Sequence, residues 1–341
     1  MKNKKNFKKL KFRIGYLIKL SISKTKSHPF IIVIAMHELF RNLYHYDPYI
    51  NAKPSYGYNR INEVVENLIN FINYSCKIGS YKQNFSHTNF DTQDLFGKLW
   101  VERFKEKKLN STAVLAELLK RLKLNKNFIK NKKILDIGCG SGRFTNAFGK
   151  LGAKLSVGVD LGSEGLRLAK LFAKKNNIKN TKFYKSNVLK LPFKSNTFDF
   201  IFCKGVLHHT GDTYAGLLEL KRVLKTGSKA FIYLYGQGGL FWSTRKLMRK
   251  VMKKIPHDYT IKTLNLIGMP ARRTIFVDSW YVPIEDHINK RKLESWFKKN
   301  NFSFTKYTNA KKTELEYLES KEKDFKEVYG NGELRYLITK L

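Results

Sequence analysis

Between positions 134 and 144 the chain reads Ile134-Leu135-Asp136-Ile137-Gly138-Cys139-Gly140-Ser141-Gly142-Arg143-Phe144, an apolar run that breaks into three alternate glycines. Lacking a Cβ, Gly138, Gly140 and Gly142 can adopt backbone angles closed to other residues and let a ligand lie against the main chain. The helix expected next would offer unpaired N–H groups at its start. That is the chemistry of a cofactor cradle. A second chemical group is Asp160, which ends the apolar run Ser156-Val157-Gly158-Val159; a carboxylate there can accept hydrogen bonds from both hydroxyls of a ribose. A third is the pair His208-His209. An imidazole titrates unperturbed near pH 6.5, so either could take a proton from a hydroxyl or amine substrate. Equally, the pair could cap the next helix or shape a pocket.

Spacing separates this loop from a dinucleotide site. That fingerprint requires Gly-x-Gly-x-x-Gly or Ala, whereas here Arg143 takes the last position and a glycine comes one residue early, at Gly142. The Asp-x-Gly-x-Gly-x-Gly order beginning at Asp136 resembles motif I of the class I S-adenosylmethionine (SAM) dependent methyltransferases. The resemblance runs in order over about residues 130–235. After the Asp160 strand come Phe183-Tyr184-Lys185-Ser186-Asn187-Val188 with Leu191-Pro192-Phe193, and then Phe198-Asp199-Phe200-Ile201-Phe202-Cys203 followed by Lys204-Gly205-Val206-Leu207-His208-His209. A helix with Leu217, Leu220, Val223 and Leu224 on one face, a stop at Lys225-Thr226-Gly227 and an apolar strand at 229–235 complete the pattern, with Ser228 replacing a second glycine.

The resemblance implies SAM as cofactor. It places Asp136, Gly138, Cys139, Gly140 and Gly142 in the loop, Asp160 and Leu161 at the ribose, Asn187 and Val188 at the adenine, and Lys204 and Gly205 after the fourth strand. Asn187 departs from the aspartate of many relatives, although its side-chain oxygen can still accept from the adenine amine. The implied fold is a Rossmann-like α/β sheet of seven strands in the order 3-2-1-4-5-7-6, with strand seven antiparallel.

Around this sheet the sequence places an N-terminal helical extension at 1–90 and a methyltransferase domain at 91–341, with an insertion after strand five at 236–289. In the extension, Leu10, Ile14, Leu17 and Ile18 recur at helical spacing among lysines, and residues 60–74 form an apolar-faced helix. Residues 91–133 supply Phe96 and Trp100 as aromatics able to close the cofactor site, and a helix through Val114, Leu118 and Leu122. The insertion opens at Gly236-Gln237-Gly238-Gly239 and continues as a basic helix at 241–255. A connection of this length is often a lid, here with Phe241, Trp242, Trp280 and Tyr281 to exclude water and Arg245, Arg249, Arg272 and Arg273 to meet an anionic acceptor; the alternative is ordinary core and a solvated face. A helix at 290–300, a strand at 302–307, a surface helix at 311–326 and a strand at 334–341 finish the chain.

A net charge of +39 invites nucleic acid, but lysine is spread along the whole chain, as on solvated faces, and no recognisable RNA-binding module is present. No apolar run reaches the roughly 20 residues that span a bilayer, and Lys19, Lys24 and Lys26 interrupt any secretory signal. The basic N-terminus could touch an anionic membrane peripherally. Cys76, Cys139 and Cys203 lack metal-ligand spacing, in keeping with a reduced, cytoplasmic protein. The expected activity is SAM-dependent methylation of an O or N atom of a small-molecule or glycan/lipid-linked acceptor. The alternatives are an RNA-modifying methyltransferase and a non-catalytic SAM-binding subunit.

Overall fold

The computed structural model describes residues 2–45, 54–77, 111–125, 127–266, 280–307, 327 and 330–341. Phe96, Trp100, Arg272, Arg273 and the helix expected at 311–326 lie outside the described residues. In chain order the elements begin with α1 (Lys2–Lys24), α2 (Pro29–His45), α3 (Pro54–Ser75) and α4 (Ser111–Arg121). There follow β1 (Lys133–Ile137), α5 (Arg143–Lys150), β2 (Leu155–Asp160), α6 (Ser163–Lys175), β3 (Thr181–Lys185) and β4 (Phe198–Lys204). A 3-10 turn at Leu207–His209 leads into α7 (Thr213–Val223), β5 (Leu224–Tyr235), α8 (Gly239–Met252), α9 (His257–Leu266), α10 (Lys290–Lys299), β6 (Phe302–Tyr307) and β7 (Glu333–Lys340). Among the described residues no helix is long and apolar enough to cross a membrane.

Contacts divide the chain into two compact units. One contains all seven strands, in the order β3-β2-β1-β4-β5-β7-β6, with β1 to β5 parallel and β7 antiparallel between β5 and β6. Successive side chains of a strand face opposite ways, so a parallel sheet covered by helices on both faces needs apolar residues at nearly every position. β1 shows this directly. Leu135 and Ile137 join Val159, Ile201, Leu217, Leu220 and Phe297 in one core, while Ile134 joins Phe148, Phe200, Phe202 and Phe231 in the other. β5 begins at Leu224, earlier than the apolar pattern indicates. Leu224 pairs with Phe198 and Lys229 with Phe200, so the residues between bulge out through Gly227, whose φ is +75°.

Register puts the loops of interest at one edge. Ile137 lies beside Val159 and Cys203, and Asp160 beside Lys185, so the residues after β1, β2, β3 and β4 all emerge at the carboxyl ends of the strands. Ligands bind at that edge in open α/β sheets.

The second unit is assembled from 1–89, 238–282 and 308–331, and its described elements are helices. Within it α1 packs on α3 and α8, and α2 packs on α3, α8 and α9. Phe241, Trp242 and Trp280 are at most 7% exposed, and Phe40 lies 6.1 Å from Phe241 and 6.3 Å from Trp280 between ring centroids. These aromatics of the insertion are interior packing of the helical unit. Arg245 is buried with its guanidinium over the Trp242 ring, Arg249 donates to the Val282 carbonyl, and the Tyr281 hydroxyl donates to the Ile255 carbonyl.

Candidate cofactor and methyl-transfer site

The turn after β1 is built by left-handed glycines: Gly138, Gly140 and Gly142 have φ of +66°, +53° and +70°. Space enforces the choice as well as backbone angle. A Cβ on Gly138 would lie 2.2 Å from Val206 Cγ2, and one on Gly142 would lie 2.5 Å from Ala169 Cβ and 2.8 Å from Phe183 Cε1, far inside van der Waals contact. Gly142 then N-caps α5, the amphipathic helix whose Phe148 fills the core beneath the loop.

Asp160 ties this turn to the end of β2. One carboxylate oxygen accepts from Gly140 N–H and the other from Gly162 N–H, each at 2.8 Å. The carboxylate keeps further acceptor capacity, and Asp160 lines a cavity of about 250 Å³ at the carboxyl edge of the sheet. Burial holds its carboxyl above the usual aspartate range, opposed by those backbone N–H bonds. The same cavity is lined by Gly138, Leu161, Asn187, Val188, Lys204, Gly205 and His209. Asn187 Oδ1 accepts from Leu189 N–H at 2.9 Å, which fixes the side chain and leaves its amide N–H donors for other partners.

The remaining candidates lie under or beside the cavity lining. Asp136 is 3% exposed and accepts from the Thr145 hydroxyl at 2.6 Å; burial, with Asp160 adding to it, raises its carboxyl to about 7 against the Thr145 hydrogen bonds and Lys204. Cys139 is buried, and its N–H donates to Val159 O, knitting the loop to β2. Burial pushes its thiol well up, away from reactivity.

The two histidines separate. His209 lines the cavity, and its Nδ1 lies 2.8 Å from the carbonyl oxygen of Ile284. A carbonyl only accepts, so Nδ1 carries a hydrogen. His208 is fully buried, stacks on Tyr235 at 3.8 Å and meets His209 at 4.2 Å. Its carbonyl accepts from Asp286 N–H at 2.7 Å. Of the two tyrosines ending β5, Tyr235 packs on His208 while Tyr233 donates to Glu333 at 2.7 Å.

Residues 284–288 thus form a strap that sequence reasoning missed. Asp286 also accepts from Thr213 Oγ1 at 3.1 Å, Ile288 N–H donates to Tyr235 O, and His287 Nδ1 meets Gly236 O at 3.0 Å. Ile284 itself lines the cavity, as do Ser186, Val206 and Thr210. The signal for these last three was adjacency to Asn187, Gly205 and His209; for Ile284, 75 positions from His209, none existed.

Residues 129–301, just over half of the chain, match the family model of the methyltransferase domain. The chain belongs to the class I SAM-dependent methyltransferases. It is 33% identical over 252 residues to a tRNA U34 carboxymethyltransferase of Campylobacter fetus, covering 70% of this chain and 86% of that one. Over 106 residues it is 41% identical to a methyltransferase of Schizosaccharomyces pombe, 29% of this chain and 38% of the other. The chain spans between 36% and 62% of the length of four curated relatives it matches. The crystal structure of YcgJ from Bacillus subtilis matches with a TM-score of 0.43 at 16% identity, over 67% of this chain and 97% of that one.

The family cofactor is SAM, and the residues present fit it. Asp160 offers a carboxylate to a ribose diol, Ile137, Leu161 and Val188 offer apolar walls to a purine, and the glycine turn leaves main chain open to close approach. Replacing Asp160 by Ala should weaken SAM about 10- to 100-fold, because a hydrogen bond to a charged acceptor is worth about 1.5–3 kcal/mol. Isothermal titration reads this. An unchanged Kd in a folded variant removes Asp160 from the ribose.

Proposed function

We propose that the protein transfers a methyl group to an oxygen or nitrogen of a small-molecule or glycan/lipid-linked acceptor, with His209 as general base, in the cytoplasm. The observation that carries this reading is the setting of His209: Nδ1 is committed to Ile284 O, and the residue lines the cavity. Bound SAM supplies a sulfonium methyl carbon open to in-line displacement. The chain's own residues then have three tasks. Asp160 and the glycine turn hold the nucleoside, Ile284 and Val206 wall off water, and His209 Nε2 receives the proton that the acceptor loses as its new bond to carbon forms. Orientation alone contributes heavily to such displacements, up to roughly 7–11 kcal/mol in favourable models, so a single weak base suffices.

A second reading, RNA modification, is favoured by the relative from Campylobacter fetus, whose name gives a tRNA nucleotide as its target, and by the charge of +39. Incubation with methyl-labelled SAM and a cell extract separated into metabolites, lipids and RNA decides between them. We expect label in the metabolite or lipid fraction. Label in RNA that is released by ribonuclease would overturn the first reading in favour of the second. SAM binding without label anywhere would mean a cofactor-holding subunit.

A further inference from the structure

Helix α1 has two unlike faces. Leu10, Ile14, Leu17 and Ile18, at most 4% exposed, bury one face within the helical unit, where α1 packs on α3 and α8. The other carries Lys8, Lys9, Lys11, Phe12, Tyr16 and Lys19, all exposed, with Phe12 at 77% and Tyr16 at 49%. The sequence holds ten lysines and arginines before its first acidic residue, Glu38. No carboxylate from this stretch can offset the lysines. Arg13 is turned instead to Glu66, 3.2 Å away.

We infer that this face docks the protein on an anionic phospholipid surface. Charge complementarity selects a negative partner, and three features select lipid. The exposed charge is lysine, a hydrated point charge suited to a diffuse surface potential, whereas phosphate recognition in nucleic acids favours the guanidinium fork, and Arg13 already faces Glu66. Phe12 and Tyr16 stand one turn apart and project rings into water; a ring with an apolar body settles at the headgroup boundary. A helix of 23 residues is roughly 34 Å long, long enough to present all six of these side chains to one extended surface. Because the hydrophobic face of α1 is already buried in the protein, attachment is peripheral and reversible. The surface stands on α1 itself and holds whichever acceptor is methylated.

The test is sedimentation of the full chain with phosphatidylcholine vesicles, with and without about 30% phosphatidylglycerol, since the attraction depends on anionic lipid and is screened by salt. The wild type should bind the anionic vesicles and release them as salt is raised. Replacing Lys8, Lys9, Lys11 and Lys19 by Glu should weaken binding about a hundredfold or more, each lysine near the surface contributing several-fold. Phe12→Ser with Tyr16→Ser should weaken it about tenfold while leaving the salt dependence in place. These positions face solvent, and an unchanged far-ultraviolet circular dichroism spectrum and thermal transition report that each variant is folded. Equal binding to neutral vesicles, or full binding by the quadruple variant, overturns the inference. So does a quadruple variant that loses affinity for RNA while its binding to vesicles is unchanged, which would make the face a nucleic-acid surface.

Discussion

His209→Ala lowers kcat by about 10²- to 10⁴-fold, the usual contribution of a positioned general base, while SAM affinity changes little. The measurement uses the acceptor found by label partition, with Kd for SAM determined separately. The expectation rests on three facts: His209 lines the cavity, its Nδ1 is held by the Ile284 carbonyl, and the neighbouring His208 is fully buried against Tyr235. A base also leaves a signature that a packing residue does not, because kcat should fall in the variant while KM for the acceptor stays nearly unchanged. A kcat within threefold of wild type would assign catalysis to orientation alone and leave His209 as cavity wall.

Asp136 should make the sheet unit less stable as pH rises from about 4 to about 7. Its carboxyl is raised from 3.8 to about 7, chiefly by burial, so over that window the native state keeps a proton that the unfolded chain has released. Stability falls with pH wherever the native state binds more protons. Below the unfolded value both states are protonated and no penalty applies; above about 7 the penalty is complete, on the order of 4 kcal/mol at 1.36 kcal/mol per unit. Asp136→Asn, which keeps an oxygen to accept from Thr145, removes this slope. Hydrogen-exchange protection of the β1 amides, corrected for intrinsic rates and followed across the window in both proteins, checks it. Parallel curves would show that Asp136 stays ionised within the fold.

Much of the scaffold was readable because it is written in local chemistry. The alternate glycines at 138, 140 and 142 imply left-handed backbone, and the turn has it. The apolar runs around Leu135, Val157 and Ile201 imply strands buried on both faces, and they form the centre of the sheet in the expected order. The early start of β5 was not readable, since the bulge through Gly227 closes only when Leu224 finds Phe198. Nor was the setting of Phe241, Trp242 and Trp280. An aromatic residue in an insertion reads alike whether it covers a ligand or a core, and it is Phe40, some two hundred positions earlier, that packs on Phe241 and Trp280, with Trp242 against Phe241.

By itself the amino-acid sequence determined the cofactor class and the sheet that presents it. Glycine spacing, the acid at the end of β2 and strand periodicity all act within a few residues and need no distant partner to be expressed. Only the tertiary structure decided between His208 and His209. They are the same residue type, one position apart, yet one has its carbonyl held by Asp286 and its ring under Tyr235, while the other lines the cavity with its tautomer set by Ile284. The settings of Asp136 and Asp160 were likewise fixed only by packing: Asp136 is enclosed beneath Thr145, whereas Asp160 spans Gly140 and Gly162 and borders the cavity. The environment that gives a titratable group its role is set by residues far away in the chain, and its effect on proton affinity exists only once they are packed.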